Sequence, residues 1–384
     1  ALFFAEQKKG DCKMRAIILT GQTGQGHISA AKAIHESLQR RQIDAEITDT
    51  LSFVGKQASE LIAAAFANIT NNTPDLFGFI YKAGDALSSD KRKSPVYYAN
   101  ALYADKLYTY LRKNKFDAVI CPHLFPAEAL SFLKRERNLN VPAYYISTDY
   151  TCIPFIEELR MDGIFIPHKD LKTEFLEQGI PESDLICSGI PVSAKFRNTV
   201  PKAEARKKIG IPGKLPAFLI MTGGEGSGNA VALTGKLIEK AEDNIRIIIL
   251  TGRNSKLKDT LQEKFTGDER VKAVGFTENV ELYMDACDVL LSKPGGITST
   301  EAAVKNIALV HTAPIPGVET KNARFFSRHG MSVMASGEDE AAVNAVRLAG
   351  DKEGMARMRD AQRQYINTGA ADDICRYIFP QNHL

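Results

Sequence analysis

Ile17-Ile18-Leu19-Thr20-Gly21 runs straight into Gln22-Thr23-Gly24-Gln25-Gly26-His27, and Leu219-Ile220-Met221-Thr222-Gly223 runs into Gly224-Glu225-Gly226-Ser227-Gly228. Each is a short continuous apolar run, then a glycine-rich turn, then a helical pattern. A strand buried on both faces reads this way, because helices cover both sides of a parallel sheet. The opening occurs twice, so the fold class read from the sequence is α/β, with two Rossmann-like parallel-sheet domains facing across a cleft.

Working outward, further strands are expected at Ala45–Asp49, Ala118–Cys121, Ala143–Ser147, Ile164–Ile166 and Leu185–Cys187 in the first half. In the second half they are expected at Arg246–Thr251, Val271–Val274, Val289–Ser292, Ala308–His311 and Ser332–Ala335. Helix-length segments separate them, as βαβ units require. The boundary falls near Pro191–Arg197. The stretch from Phe196 to Pro216, with Pro201, Gly210, Pro212, Gly213 and Pro216 around a charged helix Lys202–Lys208, reads as a linker. The expected organisation is an extension or tag remnant over 1–13, a first domain over 14–192, a second domain over 193–360 and a terminal helix over 361–384. Ligands of open α/β sheets bind beyond the carboxyl ends of the strands, which places the site in the cleft.

Composition narrows the class. The chain of 384 residues is 44% hydrophobic and 25% charged, ordinary for a globular protein. Cys12, Cys121, Cys152, Cys187, Cys287 and Cys375 are scattered, with no C-x-x-C pair, which argues against structural zinc and for a reducing cytosol. The longest apolar run, Leu61–Ala67, falls far short of the ~20 residues a membrane-spanning helix needs. Net charge is +3, which implies no nucleic-acid partner, yet Lys82–Lys115 alone holds eight basic residues against three acids. With Leu61–Phe66, Leu76–Tyr81, and Tyr97, Tyr98, Tyr103, Tyr108 and Tyr110, this basic window reads either as a contact with an anionic membrane surface or as a core helix pair with a solvated face.

The glycine loops point at phosphate chemistry. Gly24 and Gly26 bring backbone amides and a helix N-terminus to the first turn, and His27 sits there. The helix dipole disfavours its protonated form and so suits it to general-base work. The loop is not G-x-G-x-x-G. Asp49 is the only hint of a nicotinamide cofactor, and no Gly-Lys-Ser/Thr follows either loop. In the second half Gly223 and Gly224 repeat the design. Lys293-Pro294-Gly295-Gly296-Ile297-Thr298-Ser299-Thr300-Glu301 then presents consecutive amides, hydroxyls and a lysine suited to a diphosphate. Glu301 is placed to accept from a ribose diol, or to form a capping box with Thr298. No Asp-x-Asp occurs, so charge on a leaving diphosphate must be met without a metal, by amides, helix dipole and Lys293. No cofactor is expected.

At these residues the sequence resembles the family twenty-eight glycosyltransferases of the two-Rossmann-domain (GT-B) type. The diacylglycerol sugar transferases of bacteria and chloroplasts are nearer than the peptidoglycan lipid N-acetylglucosaminyltransferase. The matching motifs are Gly24-Gln25-Gly26-His27, Ser147-Thr148-Asp149, Ser188-Gly189-Ile190-Pro191-Val192, Gly275-Phe276-Thr277-Glu278, Lys293 to Glu301, and Pro316-Gly317-Val318-Glu319 through Asn322-Ala323-Arg324-Phe325-Phe326. The resemblance implies an inverting hexose transfer, glucose before galactose, from a uridine diphosphate sugar to diacylglycerol, giving a β-linked glycolipid at the cytoplasmic face of the membrane.

It further implies His27 as the base; Asp149, at a strand end, is placed to orient it, to meet acceptor hydroxyls or simply to cap a helix, and His123, after the strand Ala118–Cys121, to line the acceptor side. Gly295, Gly296 and Thr298 would hold the diphosphate and Glu301 the ribose. Backbone at Gly275–Phe276 would read the uracil, Glu319 and Asn322 would meet sugar or phosphates, and the last helix would return to the first domain. Three departures stand out: Gln25 within the usual Gly-Gly-Gly-His, Val318 before Glu319, and Ser193 where relatives carry arginine. Rival readings are a sugar-nucleotide epimerase on the same fold and a non-catalytic sugar-nucleotide sensor.

Overall fold

A computed structural model of the protein describes residues 13–21, 25–55, 93–211, 213–223, 229–241, 244–312, 314 and 316–380. Gly24 and Gly224, the apolar runs Leu61–Phe66 and Leu76–Tyr81, the basic residues Lys82, Lys91 and Arg92, and most of the 1–13 extension lie outside them.

Among the described residues, twelve strands form two six-stranded sheets in which every pairing is parallel. The first holds β1 (Arg15–Thr20), β2 (Asp44–Asp49), β3 (Ala118–Cys121), β4 (Ala143–Ile146), β5 (Gly163–Ile166) and β6 (Leu185–Cys187), in the order β2-β1-β3-β4-β5-β6. The second holds β7 (Ala217–Met221), β8 (Arg246–Leu250), β9 (Val271–Val274), β10 (Val289–Ser292), β11 (Ala308–His311) and β12 (Val333–Met334), in the order β12-β11-β10-β7-β8-β9. Central strands such as β3, β5 and β10 are buried at every position, which is why they read as unbroken apolar runs. Strand order reverses between β1 and β3 in one sheet and between β7 and β10 in the other. Such switch points, at the carboxyl ends of the strands, are where open α/β sheets hold their ligands.

One expectation needs correction, and of the two readings of the tyrosine window the structure favours the core helix pair. The charged helix Lys202–Ile209 is no linker but part of the second domain. Arg206, buried, reaches the Ala286 and Gly213 carbonyls and the Asp288 carboxylate, which also accepts from the Ala217 N–H. The connection proper is the turn Ala194–Arg197 and the few residues after it, gripped by a buried ion pair. Lys305 Nζ lies 2.6 Å from Asp285, donates to the Asn198 carbonyl, and Asp285 accepts from the Val200 N–H.

The tyrosine stripe is also mostly core. Tyr97 and Tyr103 are 3% exposed, Tyr108 and Tyr110 pack against the same cluster, and the Tyr110 hydroxyl donates to Glu46. Helix periodicity explains the split: on Pro95–Ala101 and its continuation, Tyr98 (59% exposed) and Leu102 (85%) take the outer face.

The chain ends on the domain where it began. After the helix Lys352–Tyr365 on the second domain it crosses back, and the helix Ala370–Ile378 lies against Gln25–Arg40. Ile374, Cys375 and Phe379 join Ile18, Ile34, Leu38, Ile146 and Phe165 in one apolar cluster. The crossing explains the Gly189 motif. Gly189 has φ +91°, and a Cβ there would meet the Asn367 and Ala370 Cβ atoms at 3.1 Å, while Asn367 donates to the Ser188 carbonyl at 2.7 Å.

Asp372 fixes the returning helix. It accepts from Ser37 and Arg40 at 2.6 Å and from Arg197 at 2.8 Å. Burial works against its charge, but these three donors outweigh it and hold the carboxyl well below the ordinary carboxylate range. A group with a depressed folded pKa stabilises the fold above its unfolded pKa and loses that contribution as pH falls through the folded value. Asp372→Asn is therefore expected to cost about 1–2 kcal/mol near neutral pH, because two charge-assisted bonds weaken on a partly exposed surface. The deficit should shrink on acidification below about pH 4, read as converging thermal midpoints.

Candidate active site

His27 is the third residue of the helix Gln25–Arg40, whose N-terminus faces the first switch point. Its Nδ1 lies 2.8 Å from the Pro122 carbonyl oxygen and 3.2 Å from Thr148 Oγ1. A carbonyl can only accept, so Nδ1 carries the proton and Nε2 keeps its lone pair. Nε2 has no hydrogen-bond partner among the described residues. Burial lowers the His27 pKa, opposed by the Asp149 charge and the Pro122 bond. The imidazole is therefore neutral at neutral pH, tethered at one nitrogen and available at the other.

His123 stands beside it, with ring centroids 4.5 Å apart and edge to face. It also caps the helix Leu124–Glu136, its Nδ1 accepting from the Phe125 N–H at 3.1 Å. The residue thus both starts a helix and walls the site. Asp49, the nicotinamide hint, instead caps the turn after β2 by accepting from the Leu51 N–H.

Across the cleft the helix Gly296–Val304 leaves β10, with Gly295 at its N-cap. Because Gly295 and not Thr298 holds that position, the capping-box reading of Glu301 fails. Glu301 is 9% exposed, and its carboxylate makes no hydrogen bond to the described residues. Burial pushes its pKa up to about 8, with Lys195 opposing and Glu281 adding to the rise. Lys293, Thr222, Asn229, Thr312 and Glu338 line a pocket at the second switch point, between β7 and β10. Gly223 has φ +77°, a backbone state that favours glycine. Phe276 is 62% exposed, with the Arg253 guanidinium 5.7 Å from its ring centroid. Ser193 donates to Glu36. Glu319 lies half-buried in the first turn of the helix Val318–Arg328.

The two halves of the site touch. A Cβ on Gly296 would lie 2.0 Å from the Thr148 carbonyl oxygen, and one on Gly26 would lie 3.2 Å from Ile297 Cγ1. Gly26 therefore serves the approach of the two helices as well as the first turn. Tyr150, fully sheltered, reaches Thr300 Oγ1 at 2.9 Å and stacks on Phe325 at 4.7 Å. Asn322 is wholly buried and meets Asp149, the Tyr150 N–H and the Pro294 carbonyl. The expected contact of Asn322 with sugar or phosphate finds its amide already occupied. Sequence reasoning missed Pro122 and Tyr150. Pro122 acts through a backbone carbonyl, which no side-chain pattern reveals.

Residues 27–192 match the family model for monogalactosyldiacylglycerol (MGDG) synthase, and residues 218–364 match the glycosyltransferase family 28 C-terminal domain. The chain belongs to the family 28 glycosyltransferases. Among the relatives of this glycosyltransferase, the processive diacylglycerol beta-glucosyltransferase of Bacillus mycoides (strain KBAB4) is 24% identical over 96% of the chain and 94% of that enzyme. Its counterpart in Bacillus cereus (strain B4264) is 25% identical over the same shares. The fold is shared with Acinetobacter baumannii MurG (TM-score 0.63, 16% identity, 96% of this chain and all of that one). It is shared too with the Neisseria meningitidis UDP-GlcNAc 2-epimerase bound to UDP-GlcNAc (TM-score 0.61, 18% identity, 96% of this chain and all of that one). Transferases and epimerases thus share this architecture, and the site has to discriminate between them.

Proposed function

We propose that this glycosyltransferase moves glucose from uridine diphosphate glucose to the free hydroxyl of diacylglycerol, with inversion and without a metal ion, at the cytoplasmic face of the membrane. The observation that carries the reading is His27, pinned through Nδ1 to Pro122 with Nε2 open, opposite the N-terminus of the Gly296–Val304 helix. The acceptor hydroxyl gives its proton to Nε2 as its oxygen bonds to the anomeric carbon from the face opposite the diphosphate. The bond from that carbon to the diphosphate oxygen breaks in the same step, and uridine diphosphate leaves with the electron pair. The helix N-terminus, the Gly295 and Gly296 backbone, Thr298 and Lys293 offset the charge that develops on the leaving group. Relatives of the chain are named as diacylglycerol glucosyltransferases, which supports the choice of acceptor and sugar.

No helix among the described residues is long and apolar enough to cross a membrane. Peripheral attachment is supported by Tyr98 and Leu102, which protrude, and by the exposed cations Lys106, Arg112, Lys113 and Lys115 on the following helix. Each such cation contributes about 1 kcal/mol at an anionic surface.

The test is incubation with diacylglycerol vesicles and a panel of uridine diphosphate sugars, with and without a chelator, followed by mass analysis of the lipid. A β-glucosyl lipid formed equally in both conditions is expected. A free epimerised sugar nucleotide, or no lipid product with any donor, overturns the reading.

Glu301 supplies a prediction on the donor side. A ribose diol donates to an ionised carboxylate, so donor binding draws Glu301 from its protonated to its charged form. Donor affinity is therefore expected to rise as pH increases through about 8. Glu301→Gln should weaken donor binding roughly tenfold to a hundredfold, the worth of a charged hydrogen bond, and erase the pH dependence. Titration of the enzyme with uridine diphosphate by calorimetry between pH 6 and 10 reads both.

A further inference from the structure

Asn322 has its hydrogen-bonding capacity spent on loops from both domains. Its Oδ1 accepts from the Tyr150 N–H at 2.6 Å, and Nδ2 donates to Asp149 Oδ1 at 2.8 Å and to the Pro294 carbonyl at 3.0 Å. Pro294 opens the glycine turn that precedes the Gly296–Val304 helix. Asp149 and Tyr150 follow Thr148, whose hydroxyl lies against His27 Nδ1 and whose carbonyl abuts Gly296. One buried amide therefore joins the donor-side turn to the loop beside the imidazole. The join spans the cleft, so it exists only while the domains are closed.

We propose that Asn322 is a positioning residue that makes His27 an effective base only in the closed enzyme, by fixing Asp149 where its charge supports the imidazolium formed during transfer. This deepens the proposed function and rests on its reading of His27 as the base. A part-buried imidazolium needs a nearby anion, because desolvation penalises the charged form. Asp149 raises the His27 pKa against that penalty. Among the described residues, the other titratable group shown against His27 is His123, whose Nδ1 is occupied by the Phe125 N–H. The Gly296–Val304 helix presents Ile297 to Gly26. Freed of Asn322, the Asp149 carboxylate turns toward water, where solvent screens its charge.

The test compares Asn322→Ala, Asp149→Asn and the double variant in the full chain by pH profiles of kcat, alongside donor KM and thermal midpoint. Asp149→Asn keeps an oxygen for Asn322 to donate to and removes only the charge, so it guards against a folding failure of the alanine variant. Each single variant is expected to lower kcat roughly tenfold to a hundredfold, as expected for a misplaced catalytic group, with donor KM within about threefold of wild type. Each is expected to move the acid limb of kcat to lower pH, and the double variant to move it no further, because both act on one coupling. An unmoved acid limb in Asp149→Asn overturns the proposal, as does an Asn322→Ala effect confined to donor KM or thermal midpoint. Should His27→Ala retain full turnover, the base assignment fails. An acid limb that depends on His27 but ignores Asp149 and Asn322 sinks the coupling alone.

Discussion

His27→Ala is expected to lower kcat by roughly 10²–10⁴-fold, the usual worth of a positioned general base, while donor affinity stays within about twofold. The split follows from geometry. His27 belongs to the first domain, whereas Glu301, Lys293 and the Gly295–Gly296 turn, which the proposed function assigns to the donor, belong to the second. Removing the imidazole strips the step in which the hydroxyl loses its proton and leaves the nucleotide's contacts in place.

The wild-type profile carries a matching signature. Burial lowers the His27 pKa below its ordinary value of 6.5, so the imidazole is neutral at neutral pH, and under the proposed mechanism activity is expected to fall only as acidification charges the ring. Steady-state kinetics across pH 5–8, with donor affinity measured separately by calorimetry, check both statements. A profile whose acid limb lies above pH 6.5 contradicts them.

Gly296→Ala is expected to be nearly as damaging, for a reason unrelated to chemistry at that residue. Its Cβ would overlap the Thr148 carbonyl oxygen at 2.0 Å, far inside contact distance, with Asp149 Cα at 3.1 Å behind it. Neither neighbour is the end of a flexible side chain, so relief requires the first-domain loop and the Gly296–Val304 helix to separate. A displacement of about 1 Å between reacting partners can cost on the order of a hundredfold in rate. Turnover is therefore expected to fall about a hundredfold in Gly296→Ala, with each domain still folded by circular dichroism. Gly295→Ala is the control. It is a control for domain closure and not for turnover, since its backbone is assigned to the donor: among the described residues nothing lies within 4 Å of its Cβ and its φ is −71°, so it should leave the domains closed. Near-normal turnover in Gly296→Ala shows that the two loops have room to part.

The fold was legible because buried parallel strands are written as unbroken apolar runs. Val289–Ser292 and Ala308–His311 need no partner information to be read, and their ends fall where the residues turn polar or glycine-rich. The place of His27 in the first turn of a helix after a glycine loop was legible for a related reason, but the burial that lowers its pKa and the Pro122 carbonyl that fixes its tautomer were not. Glu301 was half legible. Its burial was not, and burial is what raises its pKa to about 8.

What escaped depends on atoms far apart in the chain. Asn322 finds Asp149 across 173 positions, and two of its three partners are backbone groups without a side-chain signature. Tyr97 and Tyr98 are adjacent in sequence and opposite in fate, because only the helix phase decides which faces inward. The Lys202–Ile209 helix looked like a connector since its charges dominate its composition. Its one buried arginine, tied to three acceptors, makes it structural.

The returning terminal helix also bears on how this enzyme is made. Ribosomes deliver the first sheet long before Ile374, Cys375 and Phe379, which complete its apolar cluster. A nascent first half thus waits through the synthesis of the whole second half with Ile34 and Leu38 unsheltered, open to aggregation or to capture by a chaperone. Expressing that half by itself should yield a sticky species, and supplying Ala370–Phe379 at its end through a linker is the remedy the architecture suggests.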